Sequence, residues 1–514
     1  MSPSPHAPSI FSVALANETA TGYLMADLAL LLRPGDVVTL SGDLGAGKTS
    51  AARALIRYLA SDDEHEVPSP TFTLAQTYDL PPYPLIHADL YRINDASELE
   101  EIGLAPLPEG TLVVIEWPEK APDAMPADRI DIALSHRPSL GASARAAEII
   151  GLGACAPVVE RLIALRRFLT LSGNIDSRRQ RVTGDASTRS YARLIRNAKP
   201  SILMNAPPRP DGPALYDGKS YSAAVHLAED VKPFVAMSGA LRERGFSAPA
   251  IHHADLDAGF LVLEDFGNAL FVEGGDPPAP INERYQVAVD MLALLHQEEL
   301  PSSVPLAPKV NYDIPRFDFE AMMVEIGLML EWYLPDRGVT LTGMMHADFI
   351  LAWQQLLAKL DGMPTTWVLR DFHSPNLIWL EHRADTGRVG LLDFQDAVIG
   401  PPAYDLVSLL QDARIDVPEE VEIAMLARYA GARRTANPAF DPAAFVEQYA
   451  IMSAQRNTRL LGTFARLNRR DGKPQYLRHQ PRIWRYLNRA FAHPTLAAIK
   501  EWCIANVPPP PGNV

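Results

Sequence analysis

The stretch SGDLGAGKTS, residues 41–50, decides the fold of the first part of this chain. Four of its residues match the pattern G-x-x-x-x-G-K-[ST], namely Gly42, Gly47, Lys48 and Thr49. The apolar run DVVTLSG (36–42) predicts a buried strand that enters the loop, and KTSAARALIRYLA (48–60) predicts the helix that leaves it. In this arrangement, backbone N–H groups and the helix N-terminus surround phosphate groups. The stretch therefore predicts an α/β domain that binds a nucleotide.

The residues expected to contact this nucleotide are those of the loop and the first helical turn, Gly42, Asp43, Leu44, Gly45, Ala46, Gly47, Lys48, Thr49 and Ser50. Lys48 would reach the β- and γ-phosphates, and the hydroxyl of Thr49 would bind Mg²⁺. Such a site also needs a carboxylate at the end of a neighbouring strand, to hold Mg²⁺ or to orient the attacking water. The candidates are Asp89 in LIHADLYR and Glu116 in LVVIE, and a solvated strand-end carboxylate is the alternative for each.

A second stretch, LRDFHSPNLIWL (369–380), has a different pattern. Arg370, Asp371 and Asn376 keep the R-D-x-x-x-x-N spacing of protein-kinase catalytic loops. Asp393 follows in LLDFQDA, as the first residue of a D-F pair. In this chemistry Asp371 accepts or orients the proton of the attacking hydroxyl, whereas Asn376 and Asp393 hold Mg²⁺ on the phosphates of ATP. The stretch predicts a second ATP site that is unrelated to the first.

Other polar clusters match catalytic patterns less well. HAD (346–348) starts like the loop of a small-molecule kinase, but Trp353 stands where the spacing requires Asn. The pair HH (252–253) is expected on a surface loop, and His87 is expected to be structural. None of these is therefore a candidate catalytic residue.

The composition is that of a globular protein, with 47% hydrophobic and 21% charged residues among 514. A net charge of −15 argues against broad, non-specific binding to DNA or RNA, which relies on Lys and Arg. The two cysteines, Cys155 and Cys503, imply no disulfide framework and fit a reducing compartment. The first residues lack the features of a secretory signal, and no apolar run approaches the ~20 residues of a membrane span. We therefore expect a cytoplasmic protein with no membrane or DNA partner.

Strand and helix patterns alternate up to about residue 151. Four strands are predicted after the loop, in TFTLAQTYDL (71–80), PLIHADLYR (84–92), TLVVIEW (111–117) and RIDIALS (129–135). A helix near 158–170 opens a new region, in which a small strand-rich part precedes a larger helical part that starts near 281. The predicted fold class is an α/β P-loop NTPase domain followed by an α+β, bilobal, protein-kinase-like domain. The expected ranges are 1–153 and 158–505, followed by a disordered tail at 506–514.

Four motifs follow one another in the first domain: GDLGAGKT, PSPTFTL (68–74), HADLYR (87–92) and IEWPEK (115–120). Together they resemble the TsaE family, the small bacterial P-loop ATPases of the threonylcarbamoyladenosine tRNA-modification system. The resemblance implies weak ATP hydrolysis that supports other subunits, which hold the tRNA and modify its adenosine 37. It also implies that Thr71 lies near Mg²⁺ and that Trp117 packs beside the nucleotide. Asp89 and Glu116 would be the acidic pair.

A longer set of motifs covers about 158–505: GDASTRSYARL (184–194), LMNAPP (203–208), LEDFG (263–267), LRDFHSPNLIWL, LLDFQDAVIGPPAYDLVSLLQD (391–412) and QRNTRLLGTFARL (455–467). It resembles the aminoglycoside phosphotransferase-like kinases. Within them it is most similar to the AmgK family, which phosphorylates N-acetylmuramate and N-acetylglucosamine at the anomeric hydroxyl. The resemblance implies a role in recycling peptidoglycan sugars, by a route that bypasses the step blocked by fosfomycin.

The same resemblance implies how the small lobe would contact ATP. The turn over the phosphates and its neighbour would be Gly184, Asp185, Ala186, Ser187 and Arg189, and the hinge beside adenine would include Glu264 and Phe266. Two residues depart from the pattern. Met204 lies in the strand where the phosphate-pairing Lys of protein kinases is expected, and Asn205 stands where the family more often has Asp. ATP affinity would then depend more on Mg²⁺ and on the turn.

Two alternatives also fit the sequence. The second site could phosphorylate another small alcohol, such as an aminoglycoside or choline, since a cationic substrate and the carboxylate of N-acetylmuramate require pockets of different charge. The first domain could be a nucleotide-dependent binding switch with almost no turnover. A third possibility, a degenerate kinase lobe acting as a scaffold, is disfavoured by the presence of Asp371, Asn376 and Asp393.

Overall fold

The computed structural model describes residues 7–81, 83–93, 95, 97–182, 189–209, 216 and 218–512. It divides into two compact units. The first unit comprises residues 1–207 and 252–265, and the second comprises residues 208–251 and 266–514. Within the described ranges, no helix is both long enough and apolar enough to cross a membrane. Both cysteines are buried free thiols.

The first unit begins with a seven-stranded sheet flanked by helices. Its strands are β1 (Ser9–Leu15), β2 (Val37–Ser41), β3 (Ala75–Tyr78), β4 (Leu85–Asp89), β5 (Leu112–Glu116), β6 (Arg129–His136) and β7 (Arg145–Leu152). The helices are α1 (Glu18–Ala29), α2 (Lys48–Ala60) and α3 (Glu98–Glu101). The spatial order is β1-β7-β6-β2-β5-β4-β3. This confirms the predicted α/β class, although the third strand is shorter than the run at 71–80 suggested.

The centre of this sheet positions the first nucleotide loop. β6, β2, β5 and β4 are parallel neighbours. The apolar sequences of β2, β4 and β5 are buried on both faces, whereas those of β6 alternate. The carboxyl ends of parallel strands meet at one edge, where ligands of such sheets bind. The register places Asp89 opposite Glu116 at this edge, and β2 enters the loop there.

A second, antiparallel sheet completes the first unit. Its strands are β8 (Arg178–Val182), β9 (Ser190–Arg196), β10 (Lys199–Asn205), β11 (Ile251–Asp255) and β12 (Phe260–Glu264). The order is β11-β12-β10-β9-β8, which places β11 at an edge. The prediction that His252 and His253 lie on a loop was wrong, because both belong to β11. An edge strand tolerates polar residues, and the ring of His253 lies 5.3 Å from that of Phe168.

One helix, α4 (Ala156–Leu171), packs on both sheets of the first unit. The sequence predicted this helix at 158–170. Its buried side chains, Val159, Leu162, Leu165, Phe168 and Leu169, belong to a core that also contains Ile149 of the first sheet and Leu194 of the second. The two sheets therefore share one continuous hydrophobic core through α4.

The second unit is mainly helical, as predicted for the region after residue 281. Its helices are α5 (Tyr221–Ala224), α6 (Lys232–Glu243), α7 (Asn282–Leu295), α8 (Phe319–Leu328), α9 (Leu334–Asp336), α10 (Gly343–Leu357), α11 (Ala403–Leu410), α12 (Glu419–Ala436), α13 (Pro442–Asp471), α14 (Gln480–Ala490) and α15 (Ala497–Asn506). A π-helix, Met329–Tyr333, joins α8 to α9. The HAD sequence at 346–348 lies inside α10, so it forms no catalytic loop.

Short antiparallel pairs complete the second unit. They are β13 (Val272–Glu273) with β14 (Ala279–Pro280), β15 (Ser303–Ala307) with β16 (Val310–Asp313), β17 (Thr366–Val368) with β20 (Val398–Gly400), and β18 (Leu377–Trp379) with β19 (Val389–Leu391). The loop that carries Asp371 runs from β17 to β18, and Asp393 follows β19. Near the chain end, Val507 is buried and the hydroxyl of Tyr333 donates to the carbonyl oxygen of Pro508 at 2.9 Å.

Candidate active sites

The loop after β2 has the shape of an anion cradle. Gly42 has φ +132°, and a Cβ there would lie 2.2 Å from the carbonyl oxygen of Leu134, so no other residue fits. Gly47, with φ +104°, precedes the first residue of α2. The free N–H groups of this helix N-terminus are therefore available to phosphate oxygens.

The ammonium group of Lys48 crosses this loop. Its Nζ donates to the carbonyl oxygens of Gly42 at 2.6 Å and Asp43 at 3.0 Å, and it lies 3.5 Å from the centroid of a ring of Trp117. Trp117 directly follows β5 and has φ +60°, a conformation that is uncommon for a bulky residue. Burial lowers the pKa of Lys48, and the negative charge of Glu116 is the largest of the effects that oppose this lowering.

The structure brings the predicted acidic residues and threonines together in two pairs. The hydroxyl of Thr49 donates to Oε2 of Glu116 at 2.9 Å. The hydroxyl of Thr71 donates to Oδ2 of Asp89 at 2.8 Å. Both carboxylates are buried, at 1% and 3% exposure, and they end neighbouring parallel strands. Four of the predicted residues therefore meet at the edge of the sheet beside the loop.

Two further residues contact this group and were not predicted as part of the site. His87 is fully buried, and its Nε2 lies 2.9 Å from Oε1 of Glu116. Arg145, at the start of β7, donates from Nε to the carbonyl oxygen of Ala46 at 3.0 Å and from Nη2 to that of Gly45 at 3.3 Å. For His87 the signal was its position two residues before Asp89, on the same face of β4. For Arg145 the sequence offered no signal.

These side chains fit Mg²⁺ and a nucleotide phosphate. Mg²⁺ prefers oxygen ligands and usually keeps some from water and phosphate. Thr49, Thr71, Asp89 and Glu116 supply hydroxyl and carboxylate oxygens, and the loop supplies N–H groups. In the part of the chain that the structure describes, no three His, Cys, Asp or Glu side chains form a metal cluster on their own. Phosphate and water oxygens would therefore complete the ligand set.

The second candidate site is built on the loop between β17 and β18. Asp371 is half-buried, with 28% of its side chain exposed, and Arg370 before it has φ +72°. The carboxylate of Asp405 fixes this backbone, because it accepts the N–H groups of Leu369 at 2.7 Å and Arg370 at 2.8 Å. Burial raises the pKa of Asp405 to about 7, although these two hydrogen bonds act in the opposite direction.

The other predicted residues of this site lie on adjoining segments. Nδ2 of Asn376 donates to the carbonyl oxygen of Asp371 at 3.1 Å, and the N–H of Leu392 donates to the carbonyl oxygen of Asn376 at 2.9 Å. Asp393 has φ +56°, and its Oδ1 accepts Nε2 of Gln395 at 2.9 Å. The structure therefore brings the loops of Asp371, Asn376 and Asp393 together. Their amide and carboxylate oxygens are of the type that Mg²⁺ prefers.

A buried network of charged and polar side chains holds Arg370 of the same loop. The guanidinium of Arg370 is 1% exposed and donates to Oε1 of Glu325 at 2.5 Å and to the carbonyl oxygen of Val225 at 2.7 Å. Arg459 and Gln455, both on α13, donate to the same carboxylate at 2.9 Å and 2.8 Å. Burial alone would raise the pKa of Glu325, but the charges of the two arginines and these hydrogen bonds lower it to about 2. The arginine of the catalytic-loop motif thus has a permanent carboxylate partner.

The two residues that depart from the kinase pattern, Met204 and Asn205, both lie in β10 of the small sheet. Met204 is buried in β10, and the carboxamide of Asn205 accepts Nε of Arg161 at 3.0 Å while donating to Ser190 at 2.8 Å. Arg161 belongs to α4 and lies 3.6 Å from the ring centroid of Phe260. The amide of Asn205 is therefore engaged inside the small sheet.

The remaining predicted contacts with ATP are only partly described. Arg189 directly precedes β9, Glu264 ends β12, and the ring of Phe266 lies 5.1 Å from the guanidinium of Arg383. The four residues of the predicted turn, Gly184, Asp185, Ala186 and Ser187, lie outside the described residues.

Comparison with known proteins matches both regions to families. The family described as threonylcarbamoyl adenosine biosynthesis protein TsaE matches residues 15–144, and the phosphotransferase enzyme family (APH) matches residues 178–444. The TsaE protein of Rickettsia bellii is 38% identical over 23% of this chain and 83% of its own length. The chain belongs to the TsaE and the APH phosphotransferase families.

The APH region matches two kinases over most of their own length. An N-acetylmuramate/N-acetylglucosamine kinase of Caulobacter vibrioides is 39% identical over 68% of this chain and 97% of its own length. The protein of the same name from Pseudomonas aeruginosa is 31% identical over 63% of this chain and 87% of its own length. The predicted fusion of an AmgK-like kinase with a TsaE-like ATPase is confirmed, and both families use ATP.

Proposed function

We propose that the APH region transfers the γ-phosphate of ATP to the anomeric hydroxyl of N-acetylmuramate or N-acetylglucosamine. The observation that carries this proposal is the loop at Asp371. Its carboxylate is half-exposed on a backbone that Asp405 fixes, next to Asn376 and Asp393. The similarity to kinases of these two sugars over 97% of the length of one relative supports the choice of substrate.

In the proposed reaction, Asp371 accepts the proton of the anomeric hydroxyl as its oxygen attacks the γ-phosphorus, and ADP leaves. The bond that forms is sugar O–P, and the bond that breaks joins the γ-phosphorus to the β–γ bridging oxygen. Asn376 and Asp393 would hold Mg²⁺, which neutralises charge on the phosphates when bound. The hydrogen bond from Asn376 to the backbone of Asp371 fixes the distance between base and metal ligands.

We also propose that the TsaE region hydrolyses ATP slowly in support of a protein complex that forms threonylcarbamoyladenosine at position 37 of tRNA. Lys48 and the N–H groups of the loop would bind the phosphates. Thr49, Thr71 and Glu116 would hold Mg²⁺, and Asp89 and Glu116 would orient the attacking water. The paired contacts of Thr49 with Glu116 and of Thr71 with Asp89 support these roles.

The proposal also includes the domain boundaries, the partners and the location of the protein. Boundaries at 1–153 and 158–505 would assign one activity to each region. The partners would be other subunits of the tRNA-modifying complex, with the tRNA contacted mainly through them. ATP, tRNA and sugars released from the cell wall meet in the cytoplasm, which is the proposed location.

The kinase proposal is tested by phosphate transfer from Mg-ATP in the purified full chain. N-acetylmuramate, N-acetylglucosamine and an aminoglycoside would be supplied separately, and NMR would locate the new phosphate. We expect a sugar 1-phosphate from the first two, and a fall of at least ~10²-fold in kcat for Asp371→Ala, because the catalytic base is lost. Asp361→Ala, an exposed aspartate, is the control. Phosphorylation of the aminoglycoside alone would refute the choice of substrate.

The ATPase proposal is tested with Lys48→Ala, assayed for both activities. We expect ATP hydrolysis by the TsaE region to fall at least ~10-fold, because the ammonium group would no longer meet the phosphates. Sugar phosphorylation should continue at the wild-type rate, since that reaction uses the other site. A chain that binds ATP at this site without any turnover, even with partner subunits, would instead be a binding switch.

A further inference from the structure

One arginine of the APH region is buried with almost no hydrogen-bond partners. Arg456, on α13, is 3% exposed. Among the described residues its guanidinium makes one long hydrogen bond, from Nη1 to the carbonyl oxygen of Gln411 at 3.4 Å, and its Nε makes none. A guanidinium has five N–H donors, and buried donors without acceptors are costly. A buried arginine of this kind is expected to serve a group that the chain itself does not supply.

The segment around Arg456 is held firmly in place. The side-chain oxygen of Gln411 accepts the hydroxyl of Ser453 and the amide of Asn457, each at 2.7 Å. Ser453 and Asn457 flank Arg456 on α13. These contacts fix the end of α11 against α13, so Arg456 is anchored before any ligand arrives.

Two more buried side chains carry a polar atom without a described partner, and one of them lies close to the proposed base. His373 is 8% exposed, its Nε2 is 4.0 Å from Oδ1 of Asp371, and its Nδ1 has no partner in the described part of the chain. Asp412 is 1% exposed, and its Oδ1 accepts the N–H of Arg414 at 2.9 Å while its Oδ2 has no described partner. Burial lowers the pKa of Arg456, and the charges of Asp412 and Asp371 oppose this lowering. Asp412 directly follows Gln411, whose carbonyl oxygen Arg456 contacts. Gln455, next to Arg456, and Arg370, next to Asp371, donate to the same carboxylate of Glu325, so the two segments lie side by side.

Arg456 differs from the neighbouring arginine in having no ion pair, although the Nε of neither has a partner among the described residues. Arg459, one turn further along α13, pairs with Glu325 at 2.9 Å. Arg456 forms no ion pair with any described carboxylate. The sequence alone could not place the charges of the substrate pocket. Arg456 therefore keeps N–H donors that an anionic group of a substrate can use.

We propose that Arg456 is the specificity residue that binds the carboxylate of N-acetylmuramate. The inference rests on the proposed sugar kinase function and assigns the residue that recognises the sugar acid. The lactyl carboxylate and the anomeric hydroxyl belong to one sugar molecule, so Arg456 can hold the first while Asp371 meets the second. The hydroxyl groups of the sugar ring can then donate to Asp412, and they can donate to or accept from His373. N-acetylglucosamine, which lacks the lactyl carboxylate, uses only the contacts with Asp412 and His373.

The test is steady-state phosphorylation of both sugars by the full chain carrying Arg456→Gln or Arg456→Lys. For Arg456→Gln we expect kcat/KM on N-acetylmuramate to fall about 10- to 100-fold, the range for losing hydrogen bonds to a charged group. The value for N-acetylglucosamine should change less than about 3-fold. Arg456→Lys should recover part of the loss, because it keeps the charge without the paired donors. Arg434→Gln, on the exposed side of α12, is the matched control.

The outcomes separate the two proposals. An equal loss for both sugars, or no loss for either, overturns the role of Arg456 in specificity. A wild-type chain that phosphorylates neither sugar overturns the proposed function, and with it this inference. Thermal unfolding of each variant shows whether it is folded. If Arg456→Gln is not folded, the comparison of the two sugars with Arg456→Lys decides.

Discussion

At the scale of single residues, the loop that carries Asp371 is held by buried polar side chains from outside the loop. Asp405 accepts two successive backbone N–H groups, those of Leu369 and Arg370. Arg370 itself pairs with Glu325 on α8. These contacts fix the backbone around Arg370, whose positive φ has a strain cost for an arginine. We therefore expect Asp405 to position the proposed base, Asp371.

Replacing Asp405 by Asn should separate this role from a merely structural one. The amide keeps one accepting oxygen but presents an NH₂ group to the second backbone N–H, so one buried donor loses its acceptor. We expect a loss of about 1–3 kcal/mol in the free energy of unfolding. We also expect kcat to fall at least ~10-fold with little change in the KM for ATP, because the base is misplaced while the nucleotide site is kept.

Urea unfolding and sugar phosphorylation would measure the two effects, with Asp361→Asn on the surface as control. Lower stability with an unchanged kcat would mean that Asp405 supports the fold without positioning the base.

At the scale of elements, helix α4 determines how the first unit is built. Its apolar face packs on the seven-stranded and the five-stranded sheet, within a single core. A buried ion-pair cluster accompanies this packing. Asp27 of α1 is 1% exposed and accepts Nη1 of Arg166 on α4 at 2.6 Å and Nε of Arg179 on β8 at 2.8 Å. The TsaE region and the small sheet of the APH region are thus joined by charge as well as by apolar contact.

The variant Asp27→Asn tests this junction. Removing the charge leaves two buried guanidinium groups without their carboxylate, and breaking a buried pair in this way typically costs about 3–5 kcal/mol. The matched control is Asp63→Asn, which breaks the ion pair with Arg178. That pair is 60% and 50% exposed, so its loss should cost at most about 1 kcal/mol.

Unfolding followed by urea, with hydrogen exchange in α1, α4 and β8 as a local readout, would compare the two variants. We expect faster exchange in all three elements for Asp27→Asn alone. Equal effects of the two substitutions would show that the buried cluster contributes nothing special to the junction.

At the scale of the whole molecule, motifs made of consecutive residues could be predicted from the sequence, whereas contacts between residues far apart in the chain could not. The loop at 41–50 and the segment at 369–380 could be recognised, because their chemistry lies within ten or twelve consecutive residues. Strands β2 to β6 of the first sheet were predicted from their sequence patterns, whereas β1 was not predicted. The contacts of Asp27 with Arg179 and of Arg370 with Glu325 join residues far apart in the chain, and no local pattern encodes them.

The candidate sites likewise contain residues that the sequence predicts and residues that it does not. Asp371, Asn376 and Asp393 could be named from spacing, whereas Arg456 could not. The surrounding sequence, QRNTR, is typical of any polar stretch of a helix. Only the packing reveals that the guanidinium of Arg456 is buried with a single long hydrogen bond among the described residues. The edge position of β11 was also beyond the sequence. The alternation of HHAD suits both a strand and a loop, and the pairing with β12 decides between them.

Buried histidines make the stability of the second unit depend on pH. His296, which follows α7, is 5% exposed, and its Nδ1 lies 2.8 Å from the hydroxyl of Tyr429 on α12. Burial lowers the pKa of His296 to about 3, and the charge of Arg433 acts in the same direction. His479 behaves likewise, with a pKa lowered to about 4, chiefly by burial. Both rings are therefore neutral in the folded chain over the physiological range.

The pKa of His296 is lower in the folded chain than in the unfolded chain, so acid destabilises the fold. Below an unfolded pKa of about 6.5, the unfolded chain binds a proton at His296 that the folded chain does not bind. Stability is therefore complete above this pH and is lost as the pH falls. For a folded pKa of about 3, the loss between pH 7 and pH 5 is about 2 kcal/mol from His296 alone.

Replacing His296 by Gln removes this titration and keeps a polar group facing Tyr429. The variant should be less stable than wild type at pH 7, because the new side chain packs less well. Its unfolding free energy should nevertheless fall about 2 kcal/mol less than that of wild type between pH 7 and pH 5. Urea midpoints of the second-unit transition at both pH values would measure this, with His382→Gln, an exposed histidine, as control. Equal acid sensitivity in wild type and His296→Gln would mean that the ring is protonated in the folded chain, and that the Tyr429 contact does not require neutral imidazole.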